Sequence, residues 1–393
     1  MSPSIPQRHP FISLISPSKI THAEFVCISN PEKRGDSYLL TAQLRRNFTI
    51  TPVSNFSCDA SGNVLLYVPC EIIESLYPGR LFSKTSNKAV FEKGSILYCS
   101  VHYMYSKSQT HIFTLDEAEQ VGWTSQTAYV RALLRLQFKR LMYAWNAAGA
   151  LLLALLCGSR EYLEQSVRTG FKNAGLSHIL ALSGMHLSFF SGLSEAASKK
   201  IAGKKISIYF SFFSVLIFVW FAGFSPSLLR AFLCSLLCLL CSFLYLKPKI
   251  TSILALCFML QICLSPQDGT CISFLLSYSA LIGITTIGTF SYKVLIPYLP
   301  PKICGAFSAS IGAQLCTIPF SLVLFGSITP VGIIASVIVS PLISIFLVIG
   351  LCGIIISLFL PFTSNFFASL LGGLYETIRF LVLLFSQIPP VSL

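Results

Sequence analysis

Apolar and polar positions divide this 393-residue chain into two unlike parts. Between residues 21 and 106 the apolar residues come in short, partly alternating runs: "THAEFVCIS", "SYLLTAQLRR", "NVLLYVPCE" and "SILYCSVHYMYS". Runs rich in β-branched and aromatic residues, separated by turn-forming clusters such as "NPEKRGD", "DASGN" and "YPGR", predict strands. Several short strands at this spacing predict a small β-barrel over 21–110, of OB-like type, behind a tail at 1–20. Past residue 140 the pattern changes. Apolar runs lengthen toward the roughly 20 residues that a bilayer requires. They lie at 176–194, 206–224, 227–246, 250–265, 270–290, 304–325, 331–360 and 366–388. The fold class predicted is a polytopic α-helical membrane protein with an N-terminal small β-barrel, its helical domain covering 160–393. The run at 250–265 is short. That at 331–360 is long and interrupted by Pro341, which predicts a kinked span or two half-spans.

Residues 125–159 join the two parts and read as an amphipathic, interfacial helix region, with the amphipathic helix itself over 125–145. Arg131, Arg135 and Lys139 follow an i, i+4, i+8 spacing and so form one basic stripe. Val130, Leu133, Leu134, Phe138, Leu141 and Trp145 cover much of the other face. The stripe suits contact with lipid headgroups or with phosphate. The segment 141–159 either crosses the membrane or lies flat on it.

Charge sharpens the division. Mean hydropathy is +0.72 and charged residues make up only 11% of the chain, outside the range of soluble domains. Residues 1–205 hold 22 of the 28 Lys/Arg and 13 of the 15 Asp/Glu. The first 20 residues are too broken by Pro and Ser for a cleavable leader, so insertion is expected to rely on internal spans. Lys199, Lys200, Lys204 and Lys205, then Lys247 and Lys249, then Lys293 and Lys302 lie in alternate connections, which places those connections in the cytoplasm. Which side the β domain takes depends on whether 141–159 crosses. The net charge of +13 fits anionic headgroups or nucleic acid, as well as ordinary membrane-flanking Lys/Arg.

The residues that could carry chemistry are few. His178 and His186, eight apart in "LSHILALSGMHLSFFSG", fall within about 80° of one another around a helix, with Ser183 and Gly184 between them. Polar groups at bilayer depth are expensive, so they mark a buried or water-lined place, or else helix ends with satisfied imidazoles. Ser183 lies outside any G-x-S-x-G, and no histidine follows His186 to serve as a base from another span. No G-x-x-x-x-G-K-[ST] and no H-E-x-x-H occur, so neither a nucleotide motor, a catalytic metal nor a cofactor is expected, and the chain is not read as an enzyme. Of the 14 cysteines, Cys27, Cys58, Cys70 and Cys99 lie in the polar part, where disulfides would form in an oxidising compartment. Arg230 opens a span behind Gly223 and Pro226, either snorkelling or holding an anion. Asp268 is expected to cap the helix that follows it. Glu376 and Arg379 are expected to pair at i, i+3. Gln314 and Pro319 put an amide and a helix break into one span.

Four stretches, in order, resemble the ComEC competence family. "GLSHILALSGMH" carries Gly175, His178, Ser183, Gly184 and His186 of its hallmark segment. "GFSPSLLRAFL", with Arg230, is similar to a "G.SPS..RA" stretch, and "ISFLLSYSALIGI" to a "LSFQLSFLAVLGI" stretch. "GAQLCTIPFSLVLFGSITPVGIIASVIVSPLI", with Gln314, resembles a fourth. The resemblance implies an inner-membrane channel for single-stranded DNA in natural transformation, with an extracytoplasmic OB domain and a DNA path marked by these residues. It also implies other competence-machinery proteins as partners, including a cytoplasmic motor, alongside membrane lipids and a homo-oligomer. Many members carry a C-terminal metallo-β-lactamase-like domain. None is read here, so a nuclease is expected on another polypeptide. Ser336 stands where asparagine is usual, and Tyr278 and Ser279 where phenylalanine and leucine are. A transporter of a small anion or envelope precursor, and a non-transporting membrane scaffold, are the readings that compete with it.

Overall fold

The computed structural model describes residues 15–50, 55–77, 89–104, 111–160, 162–180, 184–223, 226–246, 248–388 and 391–392. The chain forms two compact units, Met1–Asn146 and Ala147–Leu393.

The first unit is built on strands β1 (His22–Cys27), β2 (Glu32–Arg34), β3 (Ser37–Ile50), β4 (Asn55–Asp59), β5 (Asn63–Pro69), β6 (Ser95–Met104) and β7 (Ile112–Trp123), with helix α1 (Cys70–Glu74) following β5. Strict alternation of buried and part-exposed residues along β1, β5 and the start of β6 puts one row of each strand in the core. The pairings run in a closed circuit. Phe25 of β1 faces Leu44 of β3; Leu40 of β3 faces Leu66 of β5; Leu66 lies beside Phe113 of β7 in the parallel pair; Leu97 of β6 faces Phe25. Antiparallel pairing of β6 with β7 completes the round. Those six side chains are essentially inaccessible, and together they fill the centre. Register shifts at Glu24/Phe25, Ile96/Leu97 and Ser100/Val101 bend the strands enough to bring β1 against both β3 and β6.

Strand β7 extends the domain beyond residue 110. Its polar row "DEAEQ" obscures the strand pattern, because the acidic residues occupy outward positions. Helix α2 (Gln126–Ala144) starts where the Ser125 hydroxyl accepts from the Ala128 amide at 3.2 Å. It does not continue to residue 159. Asn146 takes a positive φ of 50°, and the apolar stretch that follows is a separate helix, α3 (Asn146–Cys157), in the second unit. The helix read at 125–145 is thus α2, the region 125–159 holds two helices, and the second unit begins before residue 160.

The second unit continues with α4 (Gln165–Asn173), α5 (Ser177–Leu180), α6 (Gly184–Ala222), α7 (Pro226–Phe243), α8 (Ile250–Leu264) and α9 (Ile272–Gly283). A π-helical turn (Ile284–Gly288) leads into α10 (Thr289–Leu295), α11 (Pro301–Phe325), α12 (Gly332–Phe359) and α13 (Ser364–Ser386). Among the described residues four stretches are long and apolar enough to cross a membrane: Ile272–Leu295, Pro301–Val323, Gly332–Phe359 and Pro361–Ser386. The second unit is accordingly a multi-pass membrane helical region. Helix α6 folds back at Gly203 (φ 76°), so that Ser191 and Ser211 hydrogen-bond at 2.6 Å and Phe190 stacks on Phe218. The run read as a span at 176–194 is divided between α5 and the first arm of α6, and that read at 206–224 holds the apolar helix Tyr209–Ala222, which is shorter than a span. Helix α12 runs unbroken through Pro341, so 331–360 is one span and not two half-spans. Helix α3 is about 18 Å long, from 12 residues at 1.5 Å each, short of a hydrocarbon core. It is buried over Ala148–Cys157 and packs its Leu152 where a Cβ on Gly350 would come within 2.7 Å.

Candidate functional site

Helix α2 turns its basic stripe inward. Arg135 and Lys139 are 2% and 3% exposed, and both pair with Glu92, at 3.0 Å each. The adjacent Arg140 donates to the Leu76 carbonyl at 3.0 Å. Burial alone would raise the Glu92 carboxyl. Lys139, Arg135 and Arg131 overcome that and hold it below its ordinary range. Arg135 and Lys139 are thus committed to holding the helix on the β unit, and their burial is at odds with contact to headgroups or phosphate. Outward, α2 shows Tyr129, Val130 and Leu134. An i, i+4, i+8 spacing gives the face but not the partner, and Glu92 lies some forty residues upstream.

In the second unit the family-like stretches converge. Gly175 turns the chain at φ 71°, and a Cβ there would come within 2.5 Å of the Thr329 hydroxyl. A Cβ on Gly332 would meet the Gln314 side-chain amide at 3.0 Å and the Ala174 carbonyl at 3.3 Å. Glycine at 175 and 332 therefore lets the first and fourth stretches touch, with Gln314 at the contact. Gly184 lies where a Cβ would meet Ala231, next to Arg230, at 3.5 Å, joining the first stretch to the second. Ser336, at the position read as usually asparagine, hydrogen-bonds Ser310 at 2.6 Å and ties α12 to α11. His178 is exposed on α5. Ser183 lies outside the described residues, as does the side chain of His186, whose backbone belongs to α6.

The second and third stretches meet around Arg230. This residue is 7% exposed on α7. Its guanidinium donates to the Ser277 hydroxyl and lies 5.7 Å from the centre of the Tyr278 ring, both on α9. The Tyr278 hydroxyl donates to Gln261 Oε1 at 3.1 Å. The Gln261 amide in turn donates to the Pro226 carbonyl at 2.9 Å and to Asp268 at 3.1 Å. Asp268 is occupied by this bond instead of capping the next helix, whose N-cap is Cys271 without a side-chain bond. Gln261, wholly buried on α8, was not singled out from the sequence. Its signal is an amide alone in the apolar run "ILALCFMLQICL". Among the described residues no carboxylate lies within ion-pairing distance of Arg230. A buried cation is thus surrounded by hydroxyl, amide and ring. Elsewhere Arg379 pairs with Glu376 at 3.3 Å, as its spacing predicts, and also reaches Glu164 at 3.7 Å, which anchors α4 to α13.

Among the described residues no group of three or more His, Cys, Asp or Glu is placed to hold a metal ion, and all 14 cysteines are free thiols.

The model of the competence protein family matches residues 155–393, more than half of the chain. The chain belongs to this competence family. The match covers the whole convergence of Gly175, Arg230, Gln261, Tyr278 and Gln314. A relative, the ComE operon protein 3 of Bacillus subtilis (strain 168), is 30% identical over 136 residues, which is 33% of this competence-family chain and 17% of the relative. The matched part is therefore a small fraction of that protein's length. No solved structure matches.

Proposed function

We propose that this protein is an inner-membrane channel through which single-stranded DNA enters during natural transformation. Family membership gives the competence role. The observation that carries the channel reading is the state of Arg230. An unpaired charge at 7% exposure in a membrane helix costs several kcal/mol unless a counter-charge or water compensates it. A passing phosphate would supply that charge, while the neutral hydroxyl and amide neighbours would keep the site from closing into a permanent ion pair. His178, Ser183, Gly184, His186 and Gln314 belong with Arg230 to the same path. Of these, Gly184 approaches Ala231, next to Arg230, and Gln314 approaches Gly332.

The β unit fits an OB-like barrel. Its five long strands pair in the order β1-β3-β5-β7-β6-β1, with one parallel pair, β5–β7, and a helix after β5. Such barrels commonly receive single-stranded nucleic acid on outward aromatics. We place this unit on the extracytoplasmic side, with a cytoplasmic motor and further copies of the chain as partners.

The test is entry of labelled DNA into a nuclease-protected compartment, in cells lacking the gene and in the same cells restored with wild type, Arg230→Ala or His186→Ala at equal abundance. Entry restored by wild type and lowered severalfold in both variants is the expected result. Equal entry without the gene would overturn the reading. Solute uptake that competitor DNA leaves unchanged would replace it with small-anion transport.

A further inference from the structure

We propose that Cys234 on α7 and Cys257 on α8 form a thiol–disulfide site whose oxidation staples these helices together beside Arg230. The Cys234 thiol donates to the Cys257 sulfur at 3.3 Å, and the Cys257 thiol reaches the Arg230 backbone carbonyl at 3.5 Å. The two sulfurs are thus already in contact, one helical turn from the buried guanidinium. A disulfide requires an approach to about 2.0 Å, a shift of little more than an ångström between neighbouring side chains. The exposures are complementary as well. Cys234 is part-exposed and accessible to a small reagent, whereas Cys257 is wholly buried and meets only its partner and the backbone.

The oxidant is a small membrane-permeant disulfide. The Cys234 thiolate attacks one of its sulfurs, forming a mixed disulfide and releasing one thiol. The Cys257 thiolate then attacks the Cys234 sulfur and releases the second. Two protein S–H bonds and the reagent's S–S bond are lost; one Sγ–Sγ bond and two S–H bonds on the released thiols are gained. Two electrons pass from the protein to the reagent. The staple would hold α7 against α8 and remove the freedom of the Arg230 backbone to follow a passing anion. Only this consequence for DNA entry rests on the proposed function.

The test treats the full chain in native membranes with dithiodipyridine, alkylates the remaining thiols, and identifies linked peptides by mass spectrometry. Exposed Cys238 and Cys263, on the same two helices, serve as comparison. The expected result is a Cys234–Cys257 link as the dominant product, absent from Cys234→Ser and from Cys257→Ser. DNA entry should fall severalfold on oxidation, recover with reductant, and be insensitive to oxidant in Cys234→Ser. Recovery of both thiols as alkylated peptides, when Cys238 and Cys263 have been consumed, would overturn the site. A link with unchanged entry, in cells where deletion abolishes entry, would overturn the staple as a brake. A link in a chain that never passes DNA would leave the site standing and remove the uptake reading instead.

Discussion

Each unit buries cations to less than a tenth of their surface, but on opposite terms. In the β unit Arg135 and Lys139 close on Glu92 at 3.0 Å each, and the three charges share one dry pocket. In the membrane unit Arg230 is buried to a similar extent, yet it meets a serine hydroxyl and a tyrosine ring. The first arrangement is complete in itself, since the favourable Coulomb terms lie inside the fold. The second lacks a counter-charge within the described residues, so removing its cation should trouble the fold little and the passage of anions much. Similar burial of similar side chains thus comes with a closed ion pair in one cluster and with neutral neighbours in the other, and the proposed function rests on that difference.

The largest effect expected is from Glu92→Ala. It would strand two buried cations, and breaking a buried pair from one side costs about 3–5 kcal/mol. Thermal unfolding of the detergent-solubilised full chain, read by protease cleavage within Met1–Asn146, should show that unit failing well before the helices. Unfolding unchanged to within about 1 kcal/mol would break the comparison, because Glu92 would then not be what compensates Arg135 and Lys139.

Arg230→Ala should behave in the opposite way. Loss of its bonds to Ser277 and Tyr278 is offset by relief of an unpaired buried charge, so stability should move by about 1 kcal/mol or less, while DNA entry falls severalfold. Loss of the protein from the membrane on this substitution would make Arg230 a structural residue like Arg135.

Acid sharpens the contrast. The Glu92 carboxyl is held below its ordinary range in the folded chain, so its contribution is complete above the unfolded carboxylate pKa of about 4.3 and is lost as pH falls through the lower folded value. The unfolding midpoint of the β unit should be flat above about pH 5 and decline below about 4, a decline that Glu92→Gln would flatten. A midpoint declining already near neutral pH would point to a different titrating group.

The same two clusters show how far the sequence could be read. From residue 270 onward the apolar runs match the four stretches long enough to cross, because a bilayer-length run has few other uses; the runs before it form shorter helices among the described residues. The run at 304–325 reappears as α11 and that at 331–360 as α12, whereas the run at 176–194 is divided between α5 and α6. Alternation disclosed β1, β3, β5 and β6. It missed β2, a three-residue strand inside the cluster "NPEKRGD" read as a turn, the short β4, and β7, whose outward row of Asp and Glu looks like a loop. The basic stripe of α2 was legible as a stripe, but its direction was not: Glu92 is remote in sequence, and nothing local says that three cations face a core. Arg230, Gly184 and Gln314 were visible as a pattern. Their meeting through Ala231 and Gly332 depends on helix packing that no spacing encodes. Gln261 escaped notice because one amide in an apolar run reads as tolerated polarity until Tyr278 and Asp268 are seen to hold it.

The smallest effect expected tests the neutral shell itself. Tyr278→Phe keeps the ring 5.7 Å from the Arg230 guanidinium and removes only the hydroxyl that donates to Gln261 at 3.1 Å. Gln261 retains its bonds to the Pro226 carbonyl and Asp268, so one buried acceptor is left without its donor, at about 1 kcal/mol. Phenylalanine also stands here in the related stretch noted above, so the ring alone should suffice for passage. DNA entry near wild type with a slightly lower unfolding midpoint would show that Arg230 needs the ring and the serine but not the amide network behind them. Entry reduced as far as in Arg230→Ala would mean that Gln261 and Tyr278 position the cation. The contrast with Glu92 would then narrow, because both clusters would depend on partners fixed inside the fold.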